Sequence, residues 1–372
     1  MLNPHRYCYR LSAHSAFRIK SPKVGDYLLG KNIGVDLGTA SVLIFVQGKG
    51  VVLDEPSAVA YKTETNRLCA VGQKAFDMLE RSPSSLRVVL PLRDGVVSDF
   101  TATRQMLTRY LTKVCGNSIF KPNIVVCMPS GVTNLEKRTV LDIVTAAGAG
   151  RACLMEEPLA AAIGAGVDAA NATGTMVVDI GGGTTDIAVI SMGSIAASKS
   201  IKVAGNAFDE AIIRQVRRER DVIIGHKTAE LLKTKIGCAV LPEAELFLTV
   251  KGKNYISNLP AMLEVSSTDC FLAMREHIEA ISEAVRSLLE LTPPELVGDV
   301  GSNGIVLTGG GALLRRMDEA IQNKTGIKTR VAENARTCVV RGVGRALANL
   351  ELLTEQGYIF KNREEITGFY ES

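Results

Sequence analysis

Two stretches of the chain repeat one pattern: an apolar run, a glycine turn, and a second apolar run. NIGVDLGTASVLIFV at 32–46 and TMVVDIGGGTTDIAVIS at 175–191 each open with β-branched residues closing on an aspartate, followed by Gly and Thr. Each predicts a hairpin with Asp36 or Asp179 where the strand gives way to the turn, and together they read as an internal duplication. Between them, KPNIVVCMPSG at 121–131 predicts a buried strand closing at Pro129. RTVLDIVTAAGAG at 138–150 then has helical spacing, with Val140, Leu141, Ile143 and Val144 apolar and a glycine-rich exit.

The second half is richer in helical patterns. FDEAIIRQVRRERDV at 208–222 puts Phe208, Ile212, Ile213 and Val216 on one face, and HKTAELLKTKIG at 226–237 ends at a glycine cap. A third helix reads HIEAISEAVRSLLEL at 277–291 and stops before Thr292, where TPPEL supplies an N-cap and a proline for the next first turn. GIVLTGGGALLRRMDEAI at 304–321 is again strand, glycine turn, helix, and the polar residues 360–372 read as a frayed tail. Strands alternating with helices predict an α/β fold with a sheet in each half.

A chain of 372 residues exceeds one ordinary core and suggests two lobes around a cleft. With 46% hydrophobic and 22% charged residues, neither wholesale disorder nor a membrane bundle is indicated. The net charge of +4 is too small to argue for nucleic acid as a partner unless it is concentrated. It is concentrated in the leader, where Arg6, Arg10, Arg18, Lys20 and Lys23 precede the first acid, Asp26. That leader lacks a signal-peptide core, and no stretch approaches the ~18–20 apolar residues of a spanning helix, so a cytoplasmic protein is expected. The eight cysteines form no CxxC or CxxH pair, which removes the usual zinc signature and leaves reduced, mostly buried thiols as the better reading.

Glycine at a strand turn lets backbone N–H groups approach an anion closely, and neighbouring hydroxyls add donors. Gly38, Thr39, Ala40 and Ser41 in the first turn, and Gly181, Gly182, Gly183, Thr184 and Thr185 in the second, are therefore candidates for phosphate. Such turns also simply close hairpins; two of one design, with a third glycine run at 309–311, favour phosphate. Asp36 and Asp179 end equivalent strands and would face each other across a cleft, a pairing suited to Mg²⁺ held largely through water. Either aspartate alone reads equally as a turn cap. Glu157, before a proline at the start of an alanine-rich helix, could orient or accept a proton from an attacking water, or be only a helix-start acid.

DLGTAS, LPLRDGVVSDF, CMPSGVT, MEEPLAAAIGAG, VVDIGGGTTDIAVIS, FDEAI, TPPELVGD and GIVLTGGGALL occur in this order. The combination resembles the actin, sugar-kinase and DnaK-type superfamily and, within it, the MreB/Mbl family of bacterial actin homologues over about residues 31–350. The resemblance implies an actin-like, ribonuclease-H-like fold with ATP and Mg²⁺ in the central cleft. It implies a basic leader at 1–30, a first lobe at 31–168, a second at 169–350 whose C-terminal segment packs back on the first, and a tail at 351–372. Glu157, with Thr184 beside it, matches the water-positioning catalytic group. Glu210, Leu231, Lys233 and Thr234 match positions around the ribose and adenine, and Gly309, Gly310, Gly311, Ala312 and Leu313 the loop under the adenosine.

The resemblance also implies a slow ATPase that polymerises into filaments on the inner face of the cell membrane. There it would direct cell shape with cell-wall synthesis and elongation proteins. In NSIFKP at 117–122, Ile119 and Phe120 read from the residues alone as a staple under a strand. In the family the corresponding loop dips into the bilayer, and the basic leader could meet anionic lipid. Ser41, Asn206 and Lys235 depart from the family's usual Asn, Asp and Glu, which bears on hydrolysis rate. A sugar kinase would need a sugar pocket and a further aspartate base, and a DnaK-like chaperone a following substrate domain. A low-turnover ATP-binding scaffold is the remaining alternative.

Overall fold

Each glycine-turn segment forms an antiparallel hairpin: Asn32–Leu37 pairs with Ser41–Val46, and Thr175–Ile180 with Thr185–Ser191. The computed structural model, which describes residues 30–116, 119–169, 171–348 and 361–362, builds a larger sheet on each hairpin. The first runs Gly50–Pro56, Ser41–Val46, Asn32–Leu37, Asn123–Met128, Arg151–Glu156, with Lys361–Asn362 antiparallel on the outer edge. The second runs Ser194–Ile201, Thr185–Ser191, Thr175–Ile180, Ile305–Thr308, Thr329–Val331. The two orders correspond strand for strand: three antiparallel strands joined by hairpins, then two parallel strands reached by crossovers. The duplication visible in one motif thus extends through both sheets.

Local pattern accounts for these strands. Asn123–Met128 is buried at every position, as its near-continuous apolar run requires of a central parallel strand. Ser194–Ile201 alternates exposed and half-buried positions, as an edge strand open on one face should. Smaller sheets are inserted into each half: Val59–Lys62 between Arg67–Val71 and Leu86–Val89 in the first, and Val222–Ile223, Phe247–Asn254, Pro260–Ser266 in the second.

A large apolar core fills each half, another lies along the seam between them, and Ala58, Ala60 and Ala75 form a small separate cluster in the first half. The seam is built from helices Glu157–Gly164 and Cys338–Leu347, whose backbones touch because small residues line the contact. A Cβ at Gly164 would run into the Cys338 carbonyl, and one at Gly342 into the Ala160 carbonyl. Gly34 and Gly344 make room for Val343 and the Phe45 ring, so the same C-terminal helix lies on the first hairpin.

The helix Gly205–Arg220 buries Phe208, Ile212 and Val216, with Ile213 half-buried. His226–Lys235 ends with Gly237 donating its N–H to the Leu232 and Lys233 carbonyls. Two expectations need correction. The third helix is Ser267–Leu291, starting ten residues before 277, because Ser266 and Asp269 form a capping box and Cys270 and Met274 continue the buried face. Thr292 caps the end of that helix, donating its hydroxyl to the Leu288 carbonyl, and the following helix Pro294–Asn303 has Pro293 as N-cap without a side-chain bond. Cys127, Cys153, Cys238, Cys270 and Cys338 are free and buried, Cys115 is half-buried and Cys69 exposed. The leader 1–29 and the tail apart from 361–362 lie outside the described residues.

The seam is open to test by urea denaturation. Gly164→Ala and Gly342→Ala each force a methyl group against backbone and should cost about 1–3 kcal/mol. Gly298→Ala, with nothing within 4 Å of the added carbon in an exposed helical position, should instead be neutral or stabilising by up to about 1 kcal/mol. Equal midpoints for all three would refute the close helix contact.

Candidate functional site

The two glycine turns are built alike and pressed together. Gly38 N–H bonds to the Ser41 carbonyl at 3.1 Å, and Gly181 N–H to the Thr184 carbonyl at 2.9 Å. A Cβ at Gly182 would lie 2.5 Å from Ala40 Cβ, and one at Gly183 2.5 Å from Thr39 Oγ1. Only glycine permits that approach. Neighbouring segments hold each turn in place. Ser57 donates its hydroxyl to the Gly38 carbonyl at 2.7 Å and its N–H to the Ala40 carbonyl at 3.0 Å. Gly205 and Asn206 donate N–H groups to the Gly181 and Gly182 carbonyls at 3.2 and 2.8 Å. Gly95 donates to Thr39 Oγ1 at 2.9 Å; its φ of 78° and a Cβ position 2.8 Å from both Pro129 and Thr184 demand glycine there.

Carboxyl groups crowd behind these turns. Asp179 and Asp186 face each other across the second hairpin, and both are buried. Asp179 accepts the Thr308 hydroxyl at 2.7 Å, and Asp186, fully buried, accepts the Ser130 N–H at 2.8 Å. Glu157 is buried at the junction of strand Arg151–Glu156 and helix Glu157–Gly164, where Pro158 suits a first helical turn. Burial, with the charges of Asp179 and Asp54, pushes half-buried Asp36 up to about 7. Burial, with Asp186, pushes Asp179 to about 7 against the opposing Thr308 bond. Asp186 rises to about 6 through burial, despite its bond from Ser130. Glu157 is raised well above the usual range by burial and then by Asp186, Asp36 and Asp179. The shared cause is desolvated negative charge concentrated in one place. Arg336 opposes it only partly, and is itself bound to Asp54 at 2.6 Å.

The other residues marked by sequence divide into two groups. Gly309 and Gly311 pack on Ile180, the last residue of the strand carrying Asp179, and Gly311–Leu313 is a short 3₁₀ turn with Ala312 buried, Gly310 open and Leu313 exposed. Lys233 bonds to Asp209 at 2.7 Å and to the Gly205 carbonyl at 3.0 Å, so its tip lies beside the second turn. Glu210, by contrast, is exposed and paired with Arg214 at 3.5 Å, and Leu231 is exposed. Thr234 donates its hydroxyl to the Glu230 carbonyl of its own helix. Thr185 donates to the Val203 carbonyl at 2.7 Å, which anchors the turn.

Ile119 and Phe120 belong elsewhere. They precede strand Asn123–Met128 at the end opposite Met128 and Pro129, and are 92% and 52% exposed.

Ser57, Gly95, Asp186, Asp209 and Thr308 were not singled out from sequence. Gly95, Asp186, Asp209 and Thr308 lie within quoted motifs, LPLRDGVVSDF, VVDIGGGTTDIAVIS, FDEAI and GIVLTGGG, and Asp209, with burial lifting it to about 6 against the pull of Lys233, is one half of a sequestered pair. Lys at 233 spaced from an acid at 209 carries no periodic signal.

Residues 30–355 match the family described as MreB/Mbl protein. The cell shape-determining protein MreB of Escherichia coli (strain K12) is 42% identical over 331 residues, 87% of this chain and 95% of that protein. The cell shape-determining protein Mbl of Bacillus subtilis (strain 168) is 41% identical over 331 residues, 88% of this chain and 99% of that one. Among solved structures, MreB 5 of Spiroplasma citri bound to AMPPNP superposes with a TM-score of 0.84 at 39% identity, covering 88% of this chain and 99% of that chain. The MamK double helical filament, at 22% identity and a TM-score of 0.71 over 86% of this chain and 98% of that one, shares the fold. Twin sheets of one strand order, glycine turns packed face to face and identity above 40% over nearly the whole of two relatives agree: the chain belongs to the MreB/Mbl family.

Proposed function

We propose that this chain is an actin-like cytoskeletal protein that binds ATP with Mg²⁺ between the turns at 38–41 and 181–185. It assembles into filaments on the inner face of the cell membrane and directs cell shape with the cell-wall synthesis machinery. The observation that carries this reading is the apposition of two glycine turns beside four crowded carboxyl groups, a site short of positive charge. The relatives named above are cell shape-determining proteins, and the S. citri structures contain AMPPNP and ADP.

The donor set fits Mg²⁺. Among the described residues no group of three or more side chains converges to hold a metal alone. Asp36 and Asp179 supply two hard oxygens, which suits an ion that keeps its waters and takes further ligands from phosphate. When bound, Mg²⁺ would neutralise charge on the phosphates and the carboxylates together. Backbone N–H groups of the two turns would cradle the phosphates. Glu157, whose proton affinity burial and the neighbouring carboxyl groups raise, would, in its deprotonated form, accept a proton from a water positioned by the Thr184 hydroxyl. The membrane reading is supported by the exposed Ile119 and Phe120; among the described residues no helix is long and apolar enough to cross a membrane.

Sedimentation with anionic liposomes, with and without Mg-ATP, tests the whole: pelleting that requires Mg-ATP is expected, and protein left in the supernatant under both conditions refutes the filament. Glu157→Ala should retain ATP binding and slow phosphate release about 10²-fold or more; unchanged turnover would remove Glu157 from the chemistry.

Charge crowding has its own signature. With its folded pKa near 7 against an ordinary 3.8, Asp36 costs stability increasingly as pH rises from about 4 to about 7. In metal- and nucleotide-free protein, Asp36→Asn should therefore stabilise at about pH 8 by roughly 1–3 kcal/mol. The gain should nearly vanish at about pH 4.5, as read from urea midpoints. A gain equal at both pH values would contradict the repulsion.

A further inference from the structure

A further contact joins the two halves, away from the glycine turns. Both carboxylate oxygens of Glu80 accept the N–H of His226, at 3.1 Å each, at the first residue of helix His226–Lys235. One residue further on, Lys227 Nζ meets Asp77 Oδ1 at 3.3 Å and lies 4.8 Å from the centre of the Phe76 ring. Glu80 adopts a left-handed φ of 61°, sparsely populated for a non-glycine residue, and a Cβ at Gly225 would overlap its carboxylate.

Each half of this contact is wired to one glycine turn. On the second-lobe side, the far end of the same helix sends Lys233 to the Gly205 carbonyl, and Gly205 N–H bonds to the Gly181 carbonyl. On the first-lobe side, Gln73 N–H bonds to Glu55 Oε2 at 2.9 Å and Gly72 N–H to the Ala58 carbonyl at 2.9 Å. Between Glu55 and Ala58 sits Ser57, which grips Gly38 and Ala40. We propose that segment 76–80 and the start of helix His226–Lys235 form a clasp across the mouth of the cleft, which sets how fast a bound nucleotide leaves.

The clasp rests on the nucleotide reading above and adds its regulation. Its strength suits a gate. The Lys227–Asp77 pair is partly solvated and therefore weak, and a carboxylate at a helix N-terminus adds a modest charge-assisted attraction. A contact of this size holds the lobes together without locking them, so closure can be reversed in each cycle.

Release of a fluorescent ATP analogue from the full chain with Mg²⁺, chased with excess ATP in stopped flow, tests it. Glu80→Ala, Asp77→Lys and Gly225→Ala should each speed release about three- to tenfold. Asp77→Lys combined with Lys227→Asp should restore slow release. A disulfide between Asp77→Cys and Lys227→Cys should trap the analogue until reduced. Uptake of the analogue with release unchanged in all variants, or a swapped pair no slower than its single variants, overturns the clasp alone. Wild-type protein that takes up none of the analogue overturns the nucleotide reading, and the gate with it.

Discussion

Negative charge held out of water is the constraint around which this molecule is arranged. Asp36, Glu157, Asp179 and Asp186 act on one another from the ends of three strands and one helix, and burial raises every one of them. A hydrophobic core of equal size would be more stable, since desolvated carboxylates repay their cost only when paired. Here the hydrogen bonds from Thr308 and Ser130 satisfy single oxygens, and Arg336 is already engaged by Asp54. The fold therefore concentrates acid where its two halves meet, a charge that a bound divalent cation would offset.

Three of the contacts between the halves differ in character. At the base, helices Glu157–Gly164 and Cys338–Leu347 meet through glycine and alanine, a dry contact with little freedom to slide. In the middle, the glycine turns touch through backbone and threonine. At the mouth, the contact is polar and partly wet. A gradient from rigid to weak along one interface is what a hinge needs, with motion largest where the bonds are cheapest to break.

What could be read from the residues follows from how locally each signal is written. Both hairpins, and the placement of Asp36 and Asp179 at their turns, came from runs of a dozen or so residues in which period and turn chemistry agree. The start of helix Ser267–Leu291 was missed because its capping box lies just past strand Pro260–Ser266, where the apolar alternation of MLEVS masks the change of period. Ser57, and Gly95 and Asp186 although they stand inside quoted motifs, were not singled out for another reason. Their partners Gly38, Thr39 and Ser130 are 19, 56 and 56 residues away, and a lone Ser, Gly or Asp has no periodicity to announce it. Glu210 and Leu231 were marked by motif position alone; their side chains are exposed, with Glu210 paired to Arg214.

The C-terminal helix has a consequence for how the chain is made. Cys338–Leu347 supplies one wall of the first hairpin, with Val343 against Gly34 and Gly344 against Phe45, about three hundred residues after that hairpin is synthesised. A ribosome adding roughly 5–20 residues per second therefore holds an amino-terminal lobe with an uncovered apolar face for some tens of seconds. Each lobe has a core of its own, from residues 33–152 and 176–321, while the seam cluster that this helix completes also takes in Val177, Ala188, Ile190 and Val306 of the second lobe. The part of the sequence translated first thus waits for the last helix to cover one of its apolar faces, and that face of the nascent first lobe is what a chaperone would shield.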